Sequence, residues 1–475
     1  MAHMNAAGTT ASSWISHIGI QLADNIRIGS KDGENWTLID GGQSRVFRVP
    51  EGNMTILLSH LSRDGCSMEE LFRLMDNVTG PLSVIEQISR LWRAGYLRQT
   101  VRAQEQTVAI LRARAASPLL PPPIAATDQV TLTENACLHR HGPSLVVEAL
   151  NFGAAVEFSA VEYCRMIPGL MENTSPRQLA QQLNLSEDAV TALVSWLVAI
   201  GVVSSNSDPK TGKHYGHWSF ADRLLHARCR VERHLGGYGS TFPSKKSQFP
   251  AALRPARNTA RLPLAKFDLN AISECDLPFT SVLEKRHSVR EYDEAPLSAL
   301  ELGEFLYRAA RVRSTSKMEE IEYITRPFPA AGSLHELEFY LLVNRCDGIP
   351  PAFYRYDGLS HELEHVSDPS SETRRLATDA AWSAAMKSEP QILVILAARF
   401  SRIYSKYESI AYSLVLKDVG VVYQTMYLVA TAMGLGGCAL GGGSSDGFCR
   451  IAGTNYWEES SVGEFILGKP TPGKT

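Results

Sequence analysis

The chain has 475 residues, too many for one ordinary core, and length alone suggests about three domains. Hydrophobic residues make up 44% and charged residues 20%, with a net charge of -3, which excludes a disordered polyelectrolyte and a protein that coats nucleic acid by bulk charge. Eight cysteines (Cys66, Cys137, Cys164, Cys229, Cys275, Cys346, Cys438, Cys449) stand singly, with no Cys-x-x-Cys pair; they predict reduced, cytoplasmic thiols and no metal site. Residues 1–14 lack the basic start and apolar stretch of a signal peptide and read as a tag or disordered start.

Residues 15–100 form a first module. Trp36-Thr37-Leu38-Ile39 and Arg45-Val46-Phe47-Arg48-Val49 are β-rich. Ser67 and Glu70 form a capping box ahead of an amphipathic run through Leu71, Leu74 and Met75. A helix from Ser83 carries Ile85, Ile88 and Trp92 on one face and ends at Ala94-Gly95-Tyr96-Leu97. Residues 101–128 read as a charged helical connector ending in Pro121-Pro122-Pro123. A second module, 129–235, repeats the plan: Thr174-Ser175-Pro176 starts one helix, Ser186 another, and the latter ends at Ile200-Gly201-Val202-Val203. Gly95 and Gly201, 106 residues apart, thus mark a divergent duplication of a winged-helix pattern. The helix Asp188 to Ile200 has no Lys or Arg, which disfavours DNA and suits peptide binding along a sheet edge.

Residues 236–267, broken by Pro243, Pro250, Pro255 and Pro263, are a linker or an extended arm. Residues 268–475 mix a helix from Leu300 to Val312 with apolar runs of strand length at Leu337 to Val343 and Ile392 to Ala398, an α+β or α/β pattern. Val419 to Gly443 runs 25 residues without a charge, but its glycines should end a helix near Gly434, too early to cross a membrane.

Arg286-His287-Ser288-Val289-Arg290 places two guanidiniums, an imidazole and a hydroxyl within five residues, a set that suits a phosphate and equally a solvated basic turn. Further along come Phe328-Pro329-Ala330-Ala331-Gly332-Ser333-Leu334-His335-Glu336-Leu337-Glu338, Phe353-Tyr354-Arg355-Tyr356-Asp357, Ser405-Lys406-Tyr407, the run from Asp418 through Gln424 to Gly436, Cys438-Ala439-Leu440-Gly441-Gly442-Gly443, and Val462 to Lys469. In this order the segments resemble the FMN-binding nitroreductase domain of SagB- or McbC-type azoline oxidases, closest to those of cyanobactin and thiopeptide biosynthesis. The resemblance covers about 200 residues, and two winged-helix modules in front agree with cyanobactin-type architecture.

The resemblance implies an α+β FMN domain preceded by two precursor-recognition-like winged helices. It implies that Lys406 is the base and Tyr407 its partner, and that FMN is held by Arg286, His287, Ser288, Arg290, Pro329, Ala330, Ala331, Gly332, Ser333, Gln424, Leu440, Gly441, Gly442 and Lys469. It implies oxidation of thiazoline or oxazoline in a ribosomally made peptide, oxygen as electron acceptor, a homodimer, and the pathway's cyclodehydratase as a possible partner. Gly420-Val421 stands where several members carry Gly-His, so that His is not available here. His139-Arg140-His141 lacks a third ligand and reads as an exposed turn or strand. The competing readings are a flavin oxidoreductase acting on a carrier-bound azoline or on nitro and quinone compounds with NAD(P)H, and a winged-helix regulator that senses flavin.

Overall fold

The computed structural model describes residues 14–23, 26–32, 35–40, 43–48, 61, 65–71, 88–92, 94–104, 106–113, 121–150, 153–205, 217–231, 233–244 and 248–471. Leu74, Met75, Ser83 and Ile85 of the expected first-module helices lie outside these residues, as does most of 1–14. The chain divides into two units, Met1–Gly236 and Gly237–Thr475.

In the first unit, strands from both expected modules join one antiparallel sheet. Its spatial order is Cys66–Ser67, Ile18–Leu22, Leu97–Ala103, Gln106–Ala113, Ala154–Phe158, Ser144–Ala149, Ala136–His141. The expected helical connector is therefore corrected at its start: residues 106–113 are a strand paired with 97–103. Val101, Ala103, Val108, Leu111 and Ala113 are buried while Arg102 and Arg112 face out, an alternation that overrides helix propensity. Trp36 to Ile39 and Arg45 to Arg48 lie in the small sheet Ile26–Asp32, Asn35–Asp40, Gln43–Arg48, and Val49 lies outside the described residues.

Ser175 caps the helix Pro176–Leu183 in a capping box with Gln178, and Ser186 caps Glu187–Ala199. Residues Ala189 to Leu197 of the latter helix are all buried. It is a core element, and its lack of Lys and Arg follows from that burial. Trp92 and Trp196, each before a left-handed glycine (Gly95, Gly201), pack with ring centroids 6.4 Å apart. His139 Nε2 hydrogen-bonds Glu148 Oε1 at 3.1 Å on the edge hairpin, and no metal-binding cluster occurs among the described residues.

The second unit is built on a seven-stranded antiparallel sheet of β1 (Arg261–Pro263), β2 (Leu337–Val343), β3 (Ala352–Asp357), β4 (Glu362–Ser367), β5 (Ile392–Arg399), β6 (Gly436–Ala439) and β7 (Glu459–Gly468). The spatial order is β1-β4-β3-β2-β5-β7-β6. Its helices are α1 (Leu269–Cys275), α2 (Phe279–Lys285), α3 (Ala299–Ala310), α4 (Ser371–Ser383), α5 (Phe400–Tyr404), α6 (Ala411–Ala432) and α7 (Ser445–Ala452).

β2, apart from Glu338, and β5, up to Ala398, read as apolar runs because both faces of the sheet are covered. Phe339, Leu341, Val394, Leu396 and Phe465 pack on one face with Phe305 of α3 and Val415, Val422 and Met426 of α6. Tyr340, Leu342, Leu393, Ile395 and Ile466 pack on the other with Leu376 and Ala377 of α4 and Phe448 of α7. The 25-residue uncharged stretch is split accordingly: α6 ends at Ala432, Gly434 turns left-handed (φ +68°), and β6 follows. No helix among the described residues is long and apolar enough to cross a membrane.

The Pro-rich segment after Gly236 is fastened to this unit by backbone capture. Arg402 Nη1 takes Pro250 O (2.7 Å), Arg399 Nη2 takes Ala251 O (2.9 Å), Arg355 Nη2 takes Pro255 O (3.1 Å), and β1 pairs with β4. Proline-broken chain cannot satisfy its carbonyls in regular ladders, and guanidiniums supply the missing donors.

Candidate functional site

The stretch between Phe328 and β2 uses small residues because its backbone is contorted: Gly332 (φ +58°), Ser333 (φ +58°) and His335 (φ +48°) are all left-handed. Two of these carry side chains, each costing on the order of 1 kcal/mol or more, so the loop must be held from outside. Three side chains from residues 402–418 hold it. Asp418 Oδ2 accepts the Ala331 N–H (2.8 Å), Lys406 Nζ donates to Gly332 O (3.2 Å), and Arg402 donates from Nη2 (2.8 Å) and Nε (3.3 Å) to Leu334 O. A Cβ at Gly332 would lie 2.5 Å from Tyr407 Oη and 2.8 Å from Lys406 Nζ. The Ala-Gly loop and the Lys406-Tyr407 pair, separate in sequence, thus meet at one point.

The arm adds to this point. The N–H groups of Thr241 and Phe242 donate to Lys406 O (3.0 and 3.1 Å), and the Phe242 and Tyr407 rings each lie 5.7 Å from Lys406 Nζ. The ring faces favour the ammonium. Burial holds the lysine below its ordinary value. Burial, reinforced by the charge of Asp418, pushes the Glu336 carboxyl up to about 8; burial pushes Asp418 up as well. His335 is driven down to about 4 by burial and by Arg326 and Arg402, so it is neutral at pH 7.

A second group gathers around Tyr427 of α6. Its hydroxyl accepts the Ala439 N–H (2.8 Å) and bonds Ser288 Oγ (2.9 Å), and Arg286 lies over its ring at 5.2 Å. Val289 N–H donates to Gly437 O (3.0 Å), which lays the Arg286 to Arg290 segment along β6. Gly436 and Gly468 leave room for Val289 and Tyr292, where a Cβ would come within 2.6 Å. Leu440 is buried with its N–H on Glu464 O (2.9 Å), and Gly441 and Gly442 are exposed with open space beside them. Asp418 and Tyr427 are separated by about 13 Å along the helix axis at the usual rise per residue.

The nitroreductase family model matches residues 283–469. A protein of Methanocaldococcus jannaschii, MJ1384, described as a nitroreductase, is 30% identical over 166 residues, which are 35% of this chain and 79% of that protein. This chain belongs to the nitroreductase family. Members of the family depend on FMN. Among solved structures, a nitroreductase-type protein of Ralstonia eutropha JMP134 is similar with a TM-score of 0.36 and 20% identity, over 46% of this chain and 94% of its own. The E. coli microcin synthetase complex McbBCD with truncated pro-MccB17 bound contains a chain similar with a TM-score of 0.34 and 20% identity, over 39% of this chain and 70% of that one.

Within the nitroreductase domain all the sequence-assigned residues but Gln424 and Lys469 fall into the two groups just described. Lys406, Tyr407, Ala330, Ala331 and Gly332 are together, with Pro329 and Ser333 exposed at the loop's rim. Arg286, Ser288 and Leu440 gather near Tyr427 and β6, while His287 and Arg290 are exposed on the same segment. Gln424 is exposed on α6 between the groups. Lys469 Nζ pairs with Glu301 at 3.2 Å, while its backbone O accepts the Asp293 N–H (2.9 Å) beside the Arg290 segment.

Sequence reasoning passed over Tyr427, Asp418 as an anchor, Glu336 and Phe242. Tyr427 and Asp418 were visible as polar residues on an apolar helix, and Glu336 as an acid entering a buried strand. Nothing local marked Phe242, whose role comes from where the arm is tied down.

Proposed function

We propose that the nitroreductase domain is an FMN-dependent azoline oxidase that converts thiazoline or oxazoline rings of a ribosomally made peptide to thiazole or oxazole, with oxygen as electron acceptor. The observation that carries this reading is the Lys406-Tyr407 pair set against the Gly332 loop, its amine partly desolvated. Bound FMN supplies the two-electron acceptor that receives one ring hydrogen as hydride. Lys406 takes the other as a proton from the carbon next to the carbonyl, once its amine is in the neutral form that burial favours. The Tyr407 hydroxyl, beside the same backbone glycine, orients the ring, and the Phe242 ring keeps water from the amine.

The residues present fit FMN. Arg286 and Arg290 offer guanidiniums to a phosphate, and the backbone at Gly441 and Gly442, with open space beside it, allows close approach of a flat ring. His287, Ser288, Leu440 and Lys469 border the Arg286 segment, and Gln424 belongs to a face of α6 where Tyr412, Leu416 and Gly420 recur at four-residue intervals, all exposed. That face suits a homodimer in which each site is completed by both subunits. The first unit supplies two winged-helix candidates for a precursor peptide, and a cyclodehydratase that forms the azoline is the expected partner.

The test is direct. The purified chain should be yellow and release FMN on heating, and Lys406→Ala should keep FMN but lose turnover of an azoline peptide. Normal turnover in that variant removes the base assignment. NAD(P)H-driven nitro or quinone reduction without azoline turnover, or activity confined to carrier-bound azolines, would replace the substrate.

A further inference from the structure

The two most deeply placed acids of the site, Glu336 and Asp418, have no part in the chemistry above. Glu336 is completely buried, and neither of its carboxyl oxygens meets an N–H or hydroxyl donor from another side chain. The group it faces is the carboxyl of Asp418, itself 6% exposed. Asp418 spends one oxygen on the Ala331 N–H (2.8 Å), which is the tie that closes the left-handed loop from the α6 side. Two carboxylates cannot share such a place without a proton between them. The cation that acts on Glu336, Arg402, is committed to the carbonyls of Leu334, Pro250 and Glu322.

We infer that Glu336 and Asp418 form a proton-sharing carboxyl pair that positions the 330–334 loop, with Glu336 donating to Asp418 and Asp418 accepting from Ala331. Both act through the backbone and are positioning residues. The inference rests on the proposed FMN site only for its consequence, since this loop is the one assigned to the flavin.

The groups facing the pair sort by sign. Opening the loop returns Glu336 to water, where it ionises as an ordinary carboxyl. The closed loop then holds a proton that the open one releases, and loop stability falls as pH rises. His335 beside it, Arg402 from α5 and Lys406 from the following turn are all lowered by burial, so each contributes the opposite slope. Lys417, the remaining charged neighbour of Asp418, steadies its carboxylate. A loss of loop protection with rising pH is therefore diagnostic of the pair.

Amide hydrogen exchange of the full-length chain, followed by mass spectrometry on the segment 330–336 and corrected for intrinsic exchange, reads this slope. Between pH 6.5 and 8, above the range in which His335 titrates, loop protection should fall about tenfold in the wild type. Glu336→Gln keeps a donor without a titrating proton, and Asp418→Asn supplies its own amide donor while still accepting from Ala331. Each should flatten the profile to within about twofold while the rest of the unit keeps its protection. A flat wild-type profile, or a slope that survives in either variant, overturns the pairing. FMN content is measured on the same samples: a chain with the expected slopes but no FMN sinks the flavin reading and leaves the pair standing.

Discussion

Replacing Tyr427 by Phe removes one oxygen and leaves the ring, so its packing on Phe465 (5.1 Å) and beneath Arg286 persists while two hydrogen bonds are lost. The loss at Ala439 matters most. Its N–H points at the Tyr427 hydroxyl from the last residue of β6, and a half-buried donor left without a partner costs about 1 kcal/mol or more. Ser288 can turn to water, which limits its share to about 0.5–1 kcal/mol. The expected destabilisation is about 2 kcal/mol, equivalent to roughly 4–8 °C in the melting temperature of a unit of this size. Because the same hydroxyl joins the Arg286 segment to the Leu440 turn, FMN affinity should fall about tenfold, measured by quenching of free flavin fluorescence. Urea unfolding within 0.5 kcal/mol of wild type together with unchanged FMN affinity would refute the role given to this residue.

Gly332→Ala forces a side chain onto the φ +58° position and against Tyr407 and Lys406, so azoline turnover should be lost with about 1–2 kcal/mol of stability, read from kinetics and denaturation together. Glu364→Ala strands the buried Arg355, now bonded through Nε (2.8 Å) and Nη2 (2.6 Å), and should cost about 3–5 kcal/mol by chemical denaturation, also loosening the arm strand β1. His335 is held at about 4, below its unfolded value, so its contribution is present above pH 6.5 and lost as pH falls toward 4. His335→Asn, which tolerates the left-handed backbone, should flatten acid unfolding by about 3 kcal/mol over that range in a pH series of denaturation curves.

The parts of the fold legible in the sequence were those fixed by local chemistry. The capping box at Ser67, the helix start at Ser175, the strand runs of β2 and β5, and the end of α6 near Gly434 each follow from a few neighbouring residues. The connector misled because its charges were read as a helix surface, whereas Arg102 and Arg112 are the outward members of a β alternation. At the site, the Lys406-Tyr407 pair and the Gly332 loop were visible as motifs, and their meeting was not. Contacts such as Phe242 over Lys406 or Asp418 on Ala331 join positions 87 residues apart or more, and only the folded sheet and α6 bring them together.

The proposed reaction is oxidation of an azoline ring at a flavin beside Lys406. A synthetic peptide carrying a thiazoline or oxazoline, incubated in air with the purified chain and weighed by mass spectrometry, tests it most directly. The expected result is a loss of two hydrogens per ring, absent with Lys406→Ala although that variant retains FMN. An unchanged peptide mass with FMN-loaded wild-type protein, over a panel of both ring types, would contradict it.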